Sequence, residues 1–207
     1  KSGKDLILDY VNSLPEDEKT DGLSVMECME KGEFDKIRFK RWEKKVYEVY
    51  FQKHNRIFYI TVDKENIYLL HACRKQKNKT EKTDKQLVRK RASELGKQLG
   101  KTLLYGGSKM PVVEVNIQNE IEKQRQNNPE FRKAWDESRA EYKLIGEMIS
   151  LRKQENITQK ELASLTGNKQ QVISRIERKE SIPNIRAFSH MLDALGYELK
   201  IVKKKSV

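Results

Sequence analysis

Basic side chains gather around two short apolar runs in the first half of the chain. His71 lies within Ile67-Tyr68-Leu69-Leu70-His71-Ala72-Cys73, Arg56 opens Arg56-Ile57-Phe58-Tyr59-Ile60-Thr61-Val62, and Lys75, Lys77 and Lys79 follow closely. Cleavage of RNA requires a group that deprotonates the ribose 2′-hydroxyl, a donor for the leaving oxygen, and cations at the phosphate as it gains charge. Histidine, arginine and lysine supply all three. Between Arg74 and Arg91 stand nine basic and two acidic residues, so the same stretch also suits holding RNA without chemistry. A histidine ending an apolar strand serves equally well as a core or edge residue, whereas an arginine beside Asn55 and a buried strand is costly unless it meets an anion.

A second set lies far downstream. Gln170, Gln171, Ser174, Arg175 and Arg178 recur at helical spacing, opposite Val172, Ile173 and Ile176. Such a helix fits the major groove, where glutamine pairs bidentately with adenine and arginine with guanine. Its setting is specific. Thr158-Gln159-Lys160-Glu161 has the form of a capping box, which predicts a helix starting at Gln159. Leu162 and Ala163 turn inward, Gly167 supplies the freedom for a sharp turn, and Asn168 is placed to cap the next helix. A bundle whose exposed Gln and Arg only keep it soluble is the plain alternative.

The elements that must position these residues follow from periodicity. Helices are predicted from Asp5 to Leu14 and from about Glu16 to Lys31, separated by Pro15. Val46–Phe51, Arg56–Val62 and Ile67–Cys73 are runs rich in β-branched and aromatic residues with short polar connections, which predicts an antiparallel meander. A helix from about Thr83 to Leu99 closes this part, and Gly100, Gly106 and Gly107 mark a joint. Met110-Pro111 then reads like the start of a second protein. A strand is expected at Val112–Ile117. After it Asn128 can cap, Pro129 suits a first helical position, and Phe131, Trp135, Tyr142, Ile145 and Ile149 stripe one face of a long helix.

The 207 residues carry 43 Lys and Arg against 31 Asp and Glu, a net charge of +12. Up to Lys109 there are 25 basic and 17 acidic residues and beyond it 18 and 14, so the stronger excess, +8 against +4, lies in the first half. A polyanionic partner is implied. His54, His71 and His190 have no cysteine or carboxylate at ligand spacing, so neither a metal nor a cofactor is expected. Two separated cysteines, Cys28 and Cys73, fit a reducing cytoplasm, and no stretch has the length of a membrane span.

Leu151-Arg152 through Ile157-Thr158-Gln159, Leu162-Ala163, Gly167, Ile173-Ser174-Arg175-Ile176-Glu177 and Pro183 together resemble the repressor family of phage and related bacterial regulators. The resemblance implies that Gln159 contacts phosphate, that Lys169, Gln170, Gln171 and Arg175 read bases, and that Arg152 and Glu177 form an internal salt bridge. It also implies dimers on an inverted-repeat operator. Lys179 stands where that family usually has glycine.

The order Gly3-Lys4 to Leu14-Pro15, Tyr47-Glu48, Arg56-Ile57-Phe58-Tyr59, Leu69-Leu70-His71 and Lys75 to Thr80 resembles the phage-derived branch of the RelE-like toxins, the HigB type. That family cleaves messenger RNA on the ribosome and pairs with a helix-turn-helix antitoxin of the HigA type, which the second half resembles. The implied catalytic set is Arg56, His71, Lys75, Lys79 and Glu48, with Lys77, Lys82, Arg89 and Lys90 touching RNA or the ribosome. Tyr50 departs from the arginine, and Glu81 from the proline, that many members carry. The expected fold is α+β, helices on a small antiparallel sheet (1–104), then a joint (105–109), an antitoxin segment with a long helix (110–143) and an all-α helix-turn-helix domain (144–207). The expected function is a toxin-antitoxin module, an mRNA endoribonuclease neutralised within or between chains by an autorepressor, as a homodimer of the paired unit. A regulator whose first half only senses or dimerises, and an RNA-binding adaptor, are the alternatives.

Overall fold

The computed structural model describes residues 5–61, 66–75, 82–100 and 114–203. Two helices come first, α1 (Leu6–Asn12) and α2 (Glu16–Glu30). The Asp5 carboxylate accepts from the Ile7 and Leu8 amides and so opens α1. A single 3-10 turn, Phe34–Lys36, leads to strands β1 (Phe39–Glu43), β2 (Val46–Phe51), β3 (Asn55–Thr61) and β4 (Ile67–Arg74). They form one antiparallel sheet in the order β1-β2-β3-β4, the meander expected from the short connections. Edge strand β1 is an addition, because Phe39-Lys40-Arg41-Trp42-Glu43 mixes charge with aromatics and shows no β-branched run.

Both faces of the sheet are covered. Helix α3 (Lys82–Gln98) lays Val88, Ala92 and Leu95 on Val46, Phe58, Ile60 and Leu70. The opposite face, with Val49, Phe51, Ile57 and Tyr59, packs on Val11, Leu23 and Met26 from α1 and α2. Close approach is required there. A Cβ on Gly22 would stand 3.0 Å from both the Phe51 ring and Val11.

Two further helices join the same core. Helix α4 (Ile117–Asn127) buries Ile117 and Ile121, and α5 (Pro129–Gln154) buries Phe131 and Trp135 against the sheet-side cluster. The strand expected at Val112–Ile117 is corrected on its described part: Glu114–Asn116 has no regular structure, and Ile117 begins a helix whose cap is the Asn116 side chain, 2.8 Å from the Asn119 amide. Val112 and Val113 lie outside the described residues. Asn128 caps α5 through the Phe131 amide at 3.0 Å, with Pro129 at the first position. Farther along α5, Ile145, Met148 and Ile149 enter a separate core with α6 (Gln159–Leu165), α7 (Gln170–Glu177) and α8 (Ile185–Ala194). One helix thus serves two cores. No helix among the described residues is long and apolar enough to cross a membrane.

Candidate nucleic-acid interfaces

In the first half, strand register builds a charged cluster. Tyr50 on β2 pairs with Arg56 on β3, and Lys40 on β1 pairs with Glu48 on β2, so alternation puts all four side chains on the face toward α3. Arg56 Nη1 lies 2.6 Å from Glu48 Oε2, and Lys40 Nζ lies 3.0 Å from Glu48 Oε1. The Tyr50 hydroxyl donates to Glu48 as well. Its ring lies 5.3 Å from the Arg56 guanidinium carbon and 5.6 Å from Lys40 Nζ. Arg56 and Glu48 are buried, and a buried charge persists only when paired and hydrogen-bonded. Burial raises the Tyr50 phenol to about 12, and the bond to Glu48 adds to it. Burial likewise pulls the Lys75 ammonium below its usual value, aided by Arg56 and Lys40 and opposed by Glu48. Lys77 and Lys79 lie outside the described residues.

His71 has a different setting. Its ring stacks on Phe58 at 6.4 Å, Nε2 meets Asp84 Oδ1 at 2.9 Å, and Arg91 Nη1 approaches Nδ1 at 3.3 Å. Arginine can only donate. Nδ1 is therefore the acceptor and Nε2 carries the proton that Asp84 receives, so in this state His71 has no lone pair to offer a 2′-hydroxyl. His71, Cys73 and Asp84 also bring three ligand atoms within 4.8 Å of one another. That set suits a cation poorly, because Arg91 fixes a proton on the nitrogen a metal needs, and burial, then Asp84, push the Cys73 thiol to about 12. On α3, Lys82 and Lys90 are exposed, while Arg89 Nε reaches Glu43 at 3.0 Å. Lys40 and Arg91 were missed from sequence. Only the register of β1 and the contact of α3 with β4 bring them to the site.

In the second half the capping box is complete: the Glu161 amide donates to Thr158 Oγ1 at 3.2 Å, and the Thr158 amide to Glu161 Oε2 at 2.7 Å. Gly167 turns the chain at φ +65°. Two details of α7 are corrected. Lys169, not Asn168, is the cap residue, and the Asn168 side chain turns back to Thr166. Ile173 and Ile176 are buried as expected but Val172 is exposed, and Glu177 takes the third buried place. Arg152 Nε and Nη2 hold Glu177 at 2.6 and 3.2 Å, and Arg152 Nη1 donates to the Ile157 carbonyl at 2.7 Å. Gln159 Nε2 donates to Glu177 Oε2 at 2.6 Å and so rests on this bridge.

Lys169 at the cap and Gln170, Gln171 and Arg175 on α7 stand exposed. Ser174 lies on a flank that meets the first half, and Arg178 is half-buried beside it. Arg38 Nη1 is 3.3 Å from the Ser174 carbonyl, and Arg178 pairs with Glu180 at 3.2 Å. Lys179 takes φ +56°, a left-handed turn normally left to glycine, and its Nζ reaches Asp21 of α2 at 2.6 Å.

A helix-turn-helix with exposed Gln and Arg on its second helix defines a DNA-binding regulator, here joined to a small α+β unit with a basic sheet face. Residues 148–202 match the family described as "Helix-turn-helix", and residues 9–93 match "Phage derived protein Gp49-like (DUF891)", the latter a toxin domain of the RelE/HigB kind. A protein of Haemophilus influenzae named "Uncharacterized HTH-type transcriptional regulator" is 40% identical over 84 residues, 41% of this chain and 82% of that protein. The chain belongs to the helix-turn-helix family of transcriptional regulators and carries a Gp49-like domain ahead of its DNA-binding unit.

Proposed function

We propose that the chain is a toxin and its antitoxin in one polypeptide, two units meeting between Gly100 and Glu114, acting in the cytoplasm. The first is an mRNA endoribonuclease working on the ribosome, and the second restrains it and represses its own promoter as a dimer on an inverted repeat. The observation that carries this reading is the clasp between the halves. Helix α2 presents Glu16, Asp21 and Glu27, and the second half answers with Asn128 at 3.1 Å, Lys179 at 2.6 Å and Arg139. Lys153 Nζ meets the carbonyls of Phe34, Asp35 and Ile37 at 3.2, 2.8 and 2.8 Å. Charge-matched contact around an apolar centre is how separable partners recognise one another.

In this reading Arg56, Lys75, Lys40 and Lys79 hold the scissile phosphate as it gains charge, with Glu48 orienting Arg56. The lowered Lys75 ammonium suits proton transfer. His71 enters as a proton donor or positioning group, its tautomer set by Arg91. Lys77, Lys82, Arg89 and Lys90 contact RNA or the ribosome. Lys169, Gln170, Gln171 and Arg175 read operator bases, with Gln159, Ser174 and Arg178 toward the backbone.

The test is growth. Residues 1–109 expressed alone should arrest cells and cut translated messages, residues 110–207 supplied in trans should restore growth, and Arg56→Ala should abolish the arrest. A harmless first half that accumulates in folded form would instead favour a regulator with a non-catalytic module. One observation favours that second reading: Glu48 already neutralises Arg56.

A further inference from the structure

The two candidate nucleic-acid sites abut at one arginine. Arg38 leads into edge strand β1, and its Nη1 lies 3.3 Å from the Ser174 carbonyl and 3.4 Å from Ser174 Oγ on α7. Its own carbonyl accepts from the Tyr50 amide at 3.0 Å. The Tyr50 ring is the one against which Lys40 and Arg56 rest. The path from the recognition helix to the Glu48–Arg56 cluster therefore crosses a single side chain. Lys40 is two residues from Arg38, and its side chain is 62% exposed although its Nζ meets Glu48.

Helix geometry says which flank of α7 is involved. Ile173, Ile176 and Glu177 face inward, Gln171 and Arg175 face outward, and Ser174 stands between these directions on the side of Arg38. A major groove is about 12 Å wide, so with α7 seated in it one phosphate rim runs along the Ser174 flank. Duplex DNA carries one negative charge per about 1.7 Å of axis, and that rim seeks the cations nearest to it. Arg38 is on that flank, and Lys40 follows two residues along β1. An RNA strand held by Lys40, Arg56 and Lys75 would share Lys40 with that rim, and two polyanions meeting at one lysine repel one another.

We propose that operator DNA and RNA exclude one another at this junction: the duplex backbone beside α7 engages Lys40 against the wall made by Arg38 and covers the approach to the Glu48–Arg56 cluster. One chain then holds one nucleic acid at a time. A promoter-bound molecule takes no message, and RNA that occupies the cluster releases the promoter. This inference rests on the RNA reading of the first half.

The test uses the full chain with a fluorescent duplex selected by that chain from a random pool, and a short single-stranded RNA carrying 2′-O-methyl groups so that it is not cleaved. RNA should raise the apparent Kd for the duplex in proportion to its concentration, with no ternary complex in native mass spectrometry. Lys40→Ala should weaken RNA and duplex alike by severalfold, lower the salt slope of duplex binding by about one, and leave the circular dichroism unchanged, with Lys40→Arg restoring both affinities. Arg56→Ala should blunt the displacement. A ternary complex whose duplex affinity ignores saturating RNA overturns the proposal. So does a Lys40→Ala effect confined to RNA, or displacement undiminished in Arg56→Ala, which would put the RNA on α7 itself. An RNA that never binds the full chain overturns it too, and the growth assay then shows whether the RNA reading falls with it.

Discussion

Each half of the molecule buries an arginine against a glutamate, and the two pairs do different work. Arg152 grips both carboxylate oxygens of Glu177 with two nitrogens, spends a third on the Ile157 carbonyl, and Gln159 adds a second donor to Glu177 Oε2. This pair is a closed strut that ties α5 to α6 and α7. Arg56 and Glu48 share the same 2.6 Å contact, but the carboxylate there also holds Tyr50 and a largely exposed lysine. Its far side opens toward solvent through Lys40. The chemistry of the pair is the same in both places, and the neighbours of the carboxylate differ: in one they close it off, in the other a lysine carries it to the surface.

Glu177→Ala should have the largest effect. It strands Arg152 in a buried position and should cost about 3–5 kcal/mol, seen as a large drop in the melting temperature of the helix-turn-helix unit and loss of duplex binding with it. Glu48→Ala sharpens the contrast. It strands buried Arg56 and so should also cost stability, but unlike Glu177→Ala it should raise RNA affinity by releasing Arg56 and Lys40, measured by melting and by fluorescence anisotropy with a short RNA. If both substitutions destabilise equally and neither changes RNA affinity, the two pairs are the same kind of strut.

Next in size is Gln171→Ala combined with Arg175→Ala, which should remove about 1–3 kcal/mol of base discrimination per contact while the melting curve stays in place. Gel retardation against selected and random duplexes checks it, and unchanged sequence preference would refute these base-reading roles. Thr158→Ala should cost about 1 kcal/mol through the lost helix cap, readable as a small shift in chemical denaturation.

The smallest effect concerns acid. Burial alone would raise the Glu27 carboxyl, but hydrogen bonds from Lys31 and Gln118 and the charge of Arg139 outweigh it and hold the group below its ordinary value. A carboxyl depressed in the folded state contributes stability that is full above its unfolded value, about 4.3, and is lost as pH falls through the folded one. The clasp should therefore loosen as pH falls below that unfolded value, and Glu27→Gln should flatten that part of a melting-temperature profile against pH.

The DNA-reading unit was legible because its signals are local. The Thr158 and Glu161 pair, Gly167, and the inward Leu162, Ala163, Ile173 and Ile176 lie within a few turns of chain and act on one another directly. The first-half cluster was legible only in part. Arg56 and Glu48 could be named, but Lys40 sits on a strand held by cross-strand aromatic contacts, Phe39 with Tyr47 and Trp42 with Phe58, that no local pattern displays. The setting of His71 depends on Asp84 and Arg91 of a helix that packs onto β4. Lys179 meets Asp21 across 158 residues, a distance at which spacing carries no information.

Phe131 and Trp135 sit in the same cluster as Val49, Phe51 and Tyr59 of the sheet. Covalent continuity between Gly100 and Glu114 is therefore not what keeps the two units together. The peptide joining them supplies local concentration, and the buried aromatics supply the adhesion. A protease cutting between those residues would leave a nicked particle that still sediments as one, and escape of the basic α+β unit would require pulling Phe131 and Trp135 out of a hydrophobic interior rather than breaking a tether.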